Sequence, residues 1–315
     1  MFSLLFLKKP VIFVLLIELF LGCKMEKAKK KDSIKLDRYT LAMVQMKVEG
    51  GALEHNLDRA AMQISRAASN GAKIALLPEM MDLGWTDPSA KKLAYAIPNG
   101  KTCRFLCEQA HKFRIFVCAG IAENDNGTIY NSAILIDPAG EILLKHRKLN
   151  ELNIAHDLYA QGDRLGVVHT QLGTIGLHIC ADAGSAGNTL SRSLGYMGAD
   201  IILSPCSWAV PPGFNNDSTP YGEPWISAYR EVSSVFNLWI VGVSNVGKIT
   251  AGPWKDWDCI GNSLAYGPGG IQEIKAPHGA EADTIVYVDI RLQDRPARGT
   301  SWYDYWNKQN KNTGK

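Results

Sequence analysis

The chain has 315 residues, of which 46% are hydrophobic, and a formal net charge of +3 at pH 7. This length fits one large α/β domain or two smaller ones, with enough apolar residues for a sizeable core. Because the net charge is small and the basic residues are concentrated near the N-terminus, no basic face for nucleic acid is implied, and we expect no nucleic-acid partner.

Residues 1–23 are predicted to be a targeting segment that lies outside the fold. Two lysines precede a short apolar run that Glu18 interrupts, whereas a membrane-spanning helix needs about 20 apolar residues. The ending Leu21-Gly22-Cys23 resembles the lipobox of bacterial lipoproteins. We therefore expect an exported protein, periplasmic or at the cell surface, that a lipid on Cys23 tethers to the membrane. A cleaved signal peptide with a soluble product is the alternative.

Three further segments are predicted after the targeting segment. Residues 24–37 are highly charged and indicate a flexible linker, and residues 38–293 form the folded domain. Residues 294–315 are an aromatic C-terminal tail, whose Trp and Tyr side chains are expected to pack against another surface.

Helices and strands alternate along the folded domain. Helical periodicity is found over residues 57–68, 101–113, 188–197 and 225–236. Strands are predicted over residues 39–46, 74–77, 115–121, 128–136, 141–147, 167–170, 173–179, 200–204, 239–244, 261–266, 271–275 and 284–290. Several of these strands are joined by hairpin turns, so the alternation predicts mixed sheets.

One predicted strand ends in a cysteine that is followed by a turn rich in small residues. Apolar residues alternate from Ile175 to Ile179, and Cys180 comes next. A side chain at a strand end can face a cleft, and the N–H groups of the following turn can bind a developing oxyanion. Cys180 is thus a candidate nucleophile, although a single cysteine on an apolar strand is more often part of the core.

Two other predicted strands end in complementary reactive groups. The predicted strand over residues 74–77 is followed by Pro78 and Glu79. The predicted strand over residues 141–147 ends in a basic cluster that includes Lys148. A cysteine nucleophile needs a base to accept its proton, and a substrate carbonyl needs positive charge or N–H donors near its oxygen. Glu79 and Lys148 can supply these roles, although each residue taken alone also fits a salt bridge or a solvated strand end.

Six segments, taken in chain order, resemble the nitrilase superfamily of carbon–nitrogen hydrolases. They are residues 76–79, 130–140, 147–149, 176–182, 198–205 and 242–245. The resemblance covers most of the chain between Arg38 and Ile290. It implies an α/β fold, a four-layer α-β-β-α sandwich with mixed sheets, and a homodimer or a larger homo-oligomer.

The resemblance also implies the catalytic set Glu79, Lys148 and Cys180. Glu79 would accept the Cys180 proton, while Lys148 and the backbone N–H of Ala181 would hold the oxyanion. The expected reaction is hydrolysis of a small-molecule amide or N-carbamoyl compound through a Cys thioester, which releases ammonia or an amine. True nitrilases usually have Trp-Glu after the cysteine, so Ala181-Asp182 is closer to the amidase and carbamoylase branches.

A second acidic residue is expected near the lysine. Many relatives carry it five positions before the glycine of a motif that matches Gln161-Gly162-Asp163, and here that position is Asp157. Glu151 is the rival candidate. We assign the supporting role to Asp157 as the residue that matches the pattern.

Trp85, Ser207 and Trp208 are candidates for the wall of the substrate pocket. For either Trp, packing in the core is the alternative. The long loop over residues 211–224 is interpreted as a cover of the site or an oligomer contact, with a solvated loop as the other possibility.

The sequence carries no signature of a cofactor or a metal. It has no Rossmann glycine fingerprint, no P-loop and no CxxC or HxxxH spacing. Cysteines other than Cys23 and Cys180 are odd in number, so they do not indicate a disulfide scaffold: Cys103, Cys107, Cys118, Cys206 and Cys259.

Two functions from other classes remain open. An amine in place of water could intercept the same thioester, which would make the protein an amide-forming acyltransferase. Alternatively, the fold could serve a catalytically inactive, lipid-tethered binding protein.

Overall fold

The structure, a computed structural model, describes residues 36–297, 299 and 301–312. The predicted targeting segment with its lipobox Cys23, and nearly all of the predicted linker, lie outside the described residues. Within the described part of the chain, no helix is both long and apolar enough to cross a membrane.

The first sheet has six strands in the order β15-β1-β2-β3-β4-β5. β2 runs parallel to β1 and to β3, and the other neighbours are antiparallel, so this sheet is mixed as predicted. The strand bounds are β1 Arg38–Gln45, β2 Ile74–Leu76, β3 Phe116–Asp125, β4 Thr128–Ile136, β5 Ile142–Arg147 and β15 Thr284–Arg291.

The second sheet also has six strands, in the order β14-β13-β10-β8-β7-β6. β8 is parallel to both β7 and β10, and hairpin partners complete the two sides. The bounds are β6 Val167–Thr170, β7 Gly173–Leu177, β8 Ile201–Cys206, β10 Trp239–Ser244, β13 Leu264–Gly267 and β14 Ile271–Lys275.

The described part of the chain has six α-helices, and four of them cover the outer faces of the two sheets. Their bounds are α1 Leu53–Ser69, α2 Ala90–Leu93, α3 Lys101–Phe113, α4 Thr189–Met197, α5 Glu223–Phe236 and α6 Trp302–Asn312. Ile64 of α1 and Leu106 of α3 are buried in one core with the first sheet. A second core joins the inner faces of both sheets and continues to Leu194 of α4 and Val232 of α5. The result is the predicted α-β-β-α sandwich.

Two features differ from the predictions. A third sheet, in the order β11-β12-β9, is formed by strands of only two or three residues: β9 Ala209–Val210, β11 Val246–Lys248 and β12 Asp258–Ile260. The aromatic tail was expected to pack against another surface, but in the single chain it forms α6 with exposed Trp302, Tyr303, Tyr305 and Trp306. These side chains follow the last strand, and no residue that the structure describes covers them.

Candidate active site

Glu79, Lys148 and Cys180 line one enclosed cavity of about 50 Å³. Glu79 follows β2 and Lys148 follows β5, both in the first sheet, whereas Cys180 follows β7 in the second sheet. Their exposed fractions are 1%, 2% and 7%. The packing of the two sheets therefore brings together three reactive groups that are far apart in the chain and shields them from bulk water.

The backbone at Glu79 is fixed from both sheets. Its N–H donates to the carbonyl of Cys206, at the end of β8. On the other side lies Gly120 of β3, where a Cβ atom would stand 2.6 Å from the Glu79 Cα. A side chain at position 120 would displace Glu79, so this glycine permits a close approach of two backbones.

Successive side chains along β5 point to opposite faces of the sheet, so the residues of the basic cluster lie on two different faces. Lys145 and Arg147 point to one side, where both form ion pairs with Glu123. His146 and Lys148 point to the other side and are both buried. Lys148 therefore lies on the opposite face from Lys145 and Arg147, although the three residues are close together in the sequence.

Lys148 sits between two carboxylates. Its Nζ lies 2.8 Å from Glu79 Oε1 and 3.0 Å from Glu151 Oε1. The Asn131 side chain donates from Nδ2 to both acids, at 2.7 Å to Glu79 and 2.9 Å to Glu151. Each buried charge thus has an opposite charge or a hydrogen-bond donor as partner, which is what burial of charge requires.

The assignment of Asp157 as the supporting acid is corrected by this geometry. Asp157 is exposed, whereas the carboxylate beside Lys148 belongs to Glu151. Spacing to Gly162 does not locate the acid, because residues 153–155 form a short 3₁₀ turn that carries the chain away from the cavity before Asp157. Glu151, the rival candidate, lies three residues after Lys148 and shares its pocket.

Cys180 occupies a left-handed backbone conformation, with φ of +44°, at the start of a 3₁₀ turn over Cys180–Asp182. Asp182 holds this turn in place, since its carboxylate accepts hydrogen bonds from the N–H groups of Ile179, Leu149 and Asn150. The unfavourable φ of a non-glycine residue is therefore maintained by a buried polar network. The same network ties the cysteine turn to the segment that follows Lys148.

Ala181 lies at the cavity wall, as the predicted oxyanion donor must. It is the second residue of the 3₁₀ turn, and N–H groups in a first helical turn have no partner within the helix. Its place in the cavity wall beside Cys180 is compatible with the predicted role of its N–H, which stays a prediction.

The charges of the site favour a protonated thiol beside a basic carboxylate. Burial raises the pKa of Glu79, Lys148 opposes this, and the neighbouring Glu151 raises it further, so the net direction is upward. Burial lowers the pKa of Lys148, but the two carboxylates outweigh it and raise that pKa well above its ordinary value. Contact with the Cys206 side chain, then burial, then Glu79 raise the pKa of the Cys180 thiol.

Aromatic side chains form most of the remaining cavity wall. The predicted Trp85, Ser207 and Trp208 all line it. The wall also includes four residues that were not predicted: Leu152, Tyr221, Trp225 and Trp254. Tyr221 comes from the loop over residues 211–224, so part of this loop contributes to the site.

Stacking organises the aromatic wall into two groups. Trp208 and Trp225 are stacked with ring centroids 5.8 Å apart, and Trp85 packs against Trp254 at 4.8 Å. Lys148 Nζ lies 5.9 Å from the centre of the Trp85 ring. The cavity is therefore apolar and aromatic except at the charged cluster.

Asn131 and Asp182 are the polar residues that the sequence reasoning did not assign to the site. Both lie within motifs that carry the family resemblance, and Asn131 is a buried polar residue shortly before the apolar end of strand β4. A polar residue at such a position is the feature of the sequence that could have indicated a role for Asn131 in the site. No group of three or more potential metal ligands occurs among the described residues, and the six cysteines described there are free.

Comparison with known proteins identifies the family. The family profile described as carbon-nitrogen hydrolase matches residues 40–297. The chain belongs to the carbon-nitrogen hydrolase family.

Relatives of this carbon-nitrogen hydrolase include enzymes that act on amides and nitriles by name. A nitrilase of Pyrococcus abyssi is 32% identical over 176 residues, which are 54% of this chain and 66% of the relative. The omega-amidase NIT2 of Danio rerio is 27% identical over 82% of this chain and 90% of its own. The crystal structure of a carbon-nitrogen hydrolase from Helicobacter pylori superimposes with a TM-score of 0.72 at 19% identity, covering 81% of this chain and 90% of that one, and thus has the same fold.

Proposed function

We propose that this protein hydrolyses the C–N bond of a small neutral carboxamide through a thioester on Cys180, releasing ammonia or an amine. The observation that carries the proposal is the enclosure of a thiol, a carboxylate and an ammonium group in one cavity. The names of the relatives, omega-amidase and nitrilase, support a substrate with a carbon–nitrogen bond.

The mechanism assigns one role to each group. Glu79 accepts the thiol proton as the Cys180 sulfur attacks the carbonyl carbon, and its raised pKa makes it a better base than an ordinary carboxylate. Lys148 and the Ala181 N–H stabilise the oxyanion. Glu79 then returns the proton to the leaving nitrogen, the C–N bond breaks, and a water activated by Glu79 hydrolyses the thioester.

Glu151 and Asn131 are positioning residues in this mechanism. Both contact the Glu79–Lys148 pair, and neither needs to touch the substrate. Glu151 keeps Lys148 protonated, because its carboxylate raises the lysine pKa. Asn131 restrains both acids through a single amide group.

The size of the cavity supports a short substrate. A cavity of about 50 Å³ is small and leaves room for only a short side chain on the amide carbon. Its walls are mostly aromatic, and Lys148, the one cation among the described lining residues, is already paired with two carboxylates. A substrate with a free carboxylate, which includes N-carbamoyl amino acids, would meet no unpaired positive charge.

Ammonia release tests this proposal. We expect release from acetamide and propionamide, much less from succinamate or N-carbamoylglycine, and none from the Cys180→Ala variant. Retention of the rate in that variant, with its fold verified by circular dichroism, would contradict the thioester. If added hydroxylamine instead captures most of the acyl group at low concentration, acyl transfer replaces hydrolysis as the function. If no substrate turns over, a binding role is favoured.

A further inference from the structure

Cys206 lies beside the proposed nucleophile and has no role in the proposed hydrolysis. It is the last residue of β8 and is fully buried. Its Sγ lies 3.4 Å from Ser204 Oγ and 3.8 Å from the hydroxyl of Tyr229. These neighbours are neutral hydroxyl groups, so the structure contains a second thiol next to the reactive one with no charged partner of its own among these contacts.

The strand register places this thiol near the segment that carries Cys180. β7 and β8 are parallel, and Ile175 pairs with Ile201 while Leu177 pairs with Leu203. The pairing continues past the end of β7, because the N–H of His178 donates to the carbonyl of Leu203. Cys180 itself belongs to the 3₁₀ turn that follows, so the register places its segment beside the end of β8, where Cys206 lies, without pairing the two residues. Neighbouring strands lie about 4.8 Å apart, within the range of about 4.4–6.8 Å that Cα atoms joined by a disulfide occupy.

The two thiols belong to the same buried core, close enough for Cys206 to affect the Cys180 thiol. Contact with Cys206 is the largest influence on the pKa of the Cys180 thiol, ahead of burial, and it raises that pKa. Cys180 lines the cavity, whereas Cys206 is not part of the cavity lining. A small oxidant in the cavity thus reaches the Cys180 sulfur first, while Cys206 lies behind it.

We propose that Cys180 and Cys206 form an oxidation-sensitive pair, in which Cys206 is the resolving cysteine that converts a sulfenic acid on Cys180 into a disulfide. The oxidant is a hydroperoxide small enough to enter the cavity. The pair would protect the site from irreversible oxidation, because a disulfide is restored by thiols whereas sulfinic acid is not.

Both chemical steps balance. In the first, the Cys180 sulfur attacks one oxygen of the hydroperoxide, so that an S–O bond forms and the O–O bond breaks. The sulfur is oxidised by two electrons. With hydrogen peroxide, the second oxygen leaves as hydroxide and becomes water by taking up the thiol proton. Glu79 is the nearby base for that proton, and in this respect the inference rests on the proposed function. In the second step, the Cys206 sulfur attacks the Cys180 sulfur, the S–S bond forms, the S–O bond breaks, and hydroxide leaves as water with the Cys206 proton.

Mass spectrometry of the oxidised protein tests the proposal without any substrate. After hydrogen peroxide is added at low excess to the full-length protein, we expect a mass loss of about 2 Da and a linked peptide that contains both Cys180 and Cys206. Dithiothreitol should reverse both changes. The failure of amide hydrolysis would not affect this readout, so the two proposals can fail separately.

Two variants provide the contrast. In Cys206→Ser, Cys180 should proceed to sulfinic acid, a gain of about 32 Da that dithiothreitol does not reverse. Cys259→Ser is the matched control, because Cys259 is another buried cysteine near the site, with its Sγ 3.6 Å from Ser207 Oγ, and it should still give the linked peptide. Absence of the linked peptide from the wild-type protein, or equal reversibility in Cys206→Ser, would overturn the proposal. Peptide mapping of the wild type decides the matter even if Cys206→Ser does not fold.

Discussion

Replacing Glu151 by Gln removes one of the two carboxylates that face Lys148 with little change in side-chain size. Asn131 Nδ2 lies 2.7 Å from Glu79 Oε1 and 2.9 Å from Glu151 Oε2, so these two carboxylate oxygens are at most about 5.6 Å apart. At an effective dielectric constant of about 20, two unit charges at that distance repel by about 3 kcal/mol. Glu151 therefore raises the pKa of Glu79 by an amount that kinetics can measure.

The assay is the pH dependence of kcat/KM for amide hydrolysis. In the proposed mechanism Glu79 must be ionised to act as the base, so its raised pKa would set the acid limb of the profile. In Glu151→Gln the acid limb should move to lower pH, since the neighbouring negative charge that raises the pKa of Glu79 is lost. Glu151→Asp should keep most of the wild-type position, and Asp157→Asn, at the exposed acid, should leave the profile unchanged. An unmoved limb in folded Glu151→Gln, or a shift in Asp157→Asn, would refute the reasoning.

Three further perturbations test other parts of the structure. Burial lowers the pKa of His178 from 6.5 to about 4, so the unfolded chain binds a proton at higher pH than the folded chain does. Wild-type stability should thus fall by about 3 kcal/mol more than that of His178→Phe between pH 7 and pH 4, as urea unfolding at both pH values would reveal. The Asp182 carboxylate also lies 2.8 Å from His146 Nε2, so Asp182→Ala leaves buried His146 and three N–H groups without their acceptor and should cost about 3–5 kcal/mol in urea unfolding at pH 7. A loss below about 1 kcal/mol would contradict its role in holding the cysteine turn in place. Gly120→Ala should lower kcat and cost about 1–3 kcal/mol by displacing Glu79, whereas Gly184→Ala, where the nearest heavy atom is 3.6 Å from the added Cβ, should be tolerated in thermal unfolding.

Most of the fold was predictable because its elements are long and periodic. Helix α3 and strand β4 have the predicted bounds, and the buried face of each follows directly from the spacing of apolar residues. The third sheet was missed because strands of two or three residues are too short to show alternation. The exposure of the aromatic tail was not predicted for a different reason. A sequence does not show whether an aromatic side chain packs against its own chain or stays exposed in the single chain.

The three central residues of the site were predictable, but their supporting residues were not. Glu79, Lys148 and Cys180 each stand at the end of a strand, where local pattern and family resemblance coincide. Glu151 was ranked below Asp157 because the path of an irregular loop decides which acid reaches the lysine, and spacing to a glycine does not describe that path. Cys206 could not be paired with Cys180, since the offset between two parallel strands depends on the crossover that joins them.

Because the two sheets contribute different residues to the site, the catalytic rate would depend on how the two sheets are packed against each other. Glu79 and Lys148 move with one sheet and Cys180 with the other. A small slip between the sheets would leave each strand and helix intact, and circular dichroism would record no change, yet it would separate the thiol from its base. Loss of activity during heating or denaturation should therefore precede the loss of secondary structure. Activity would then detect a displacement of the two sheets before any strand or helix unfolds.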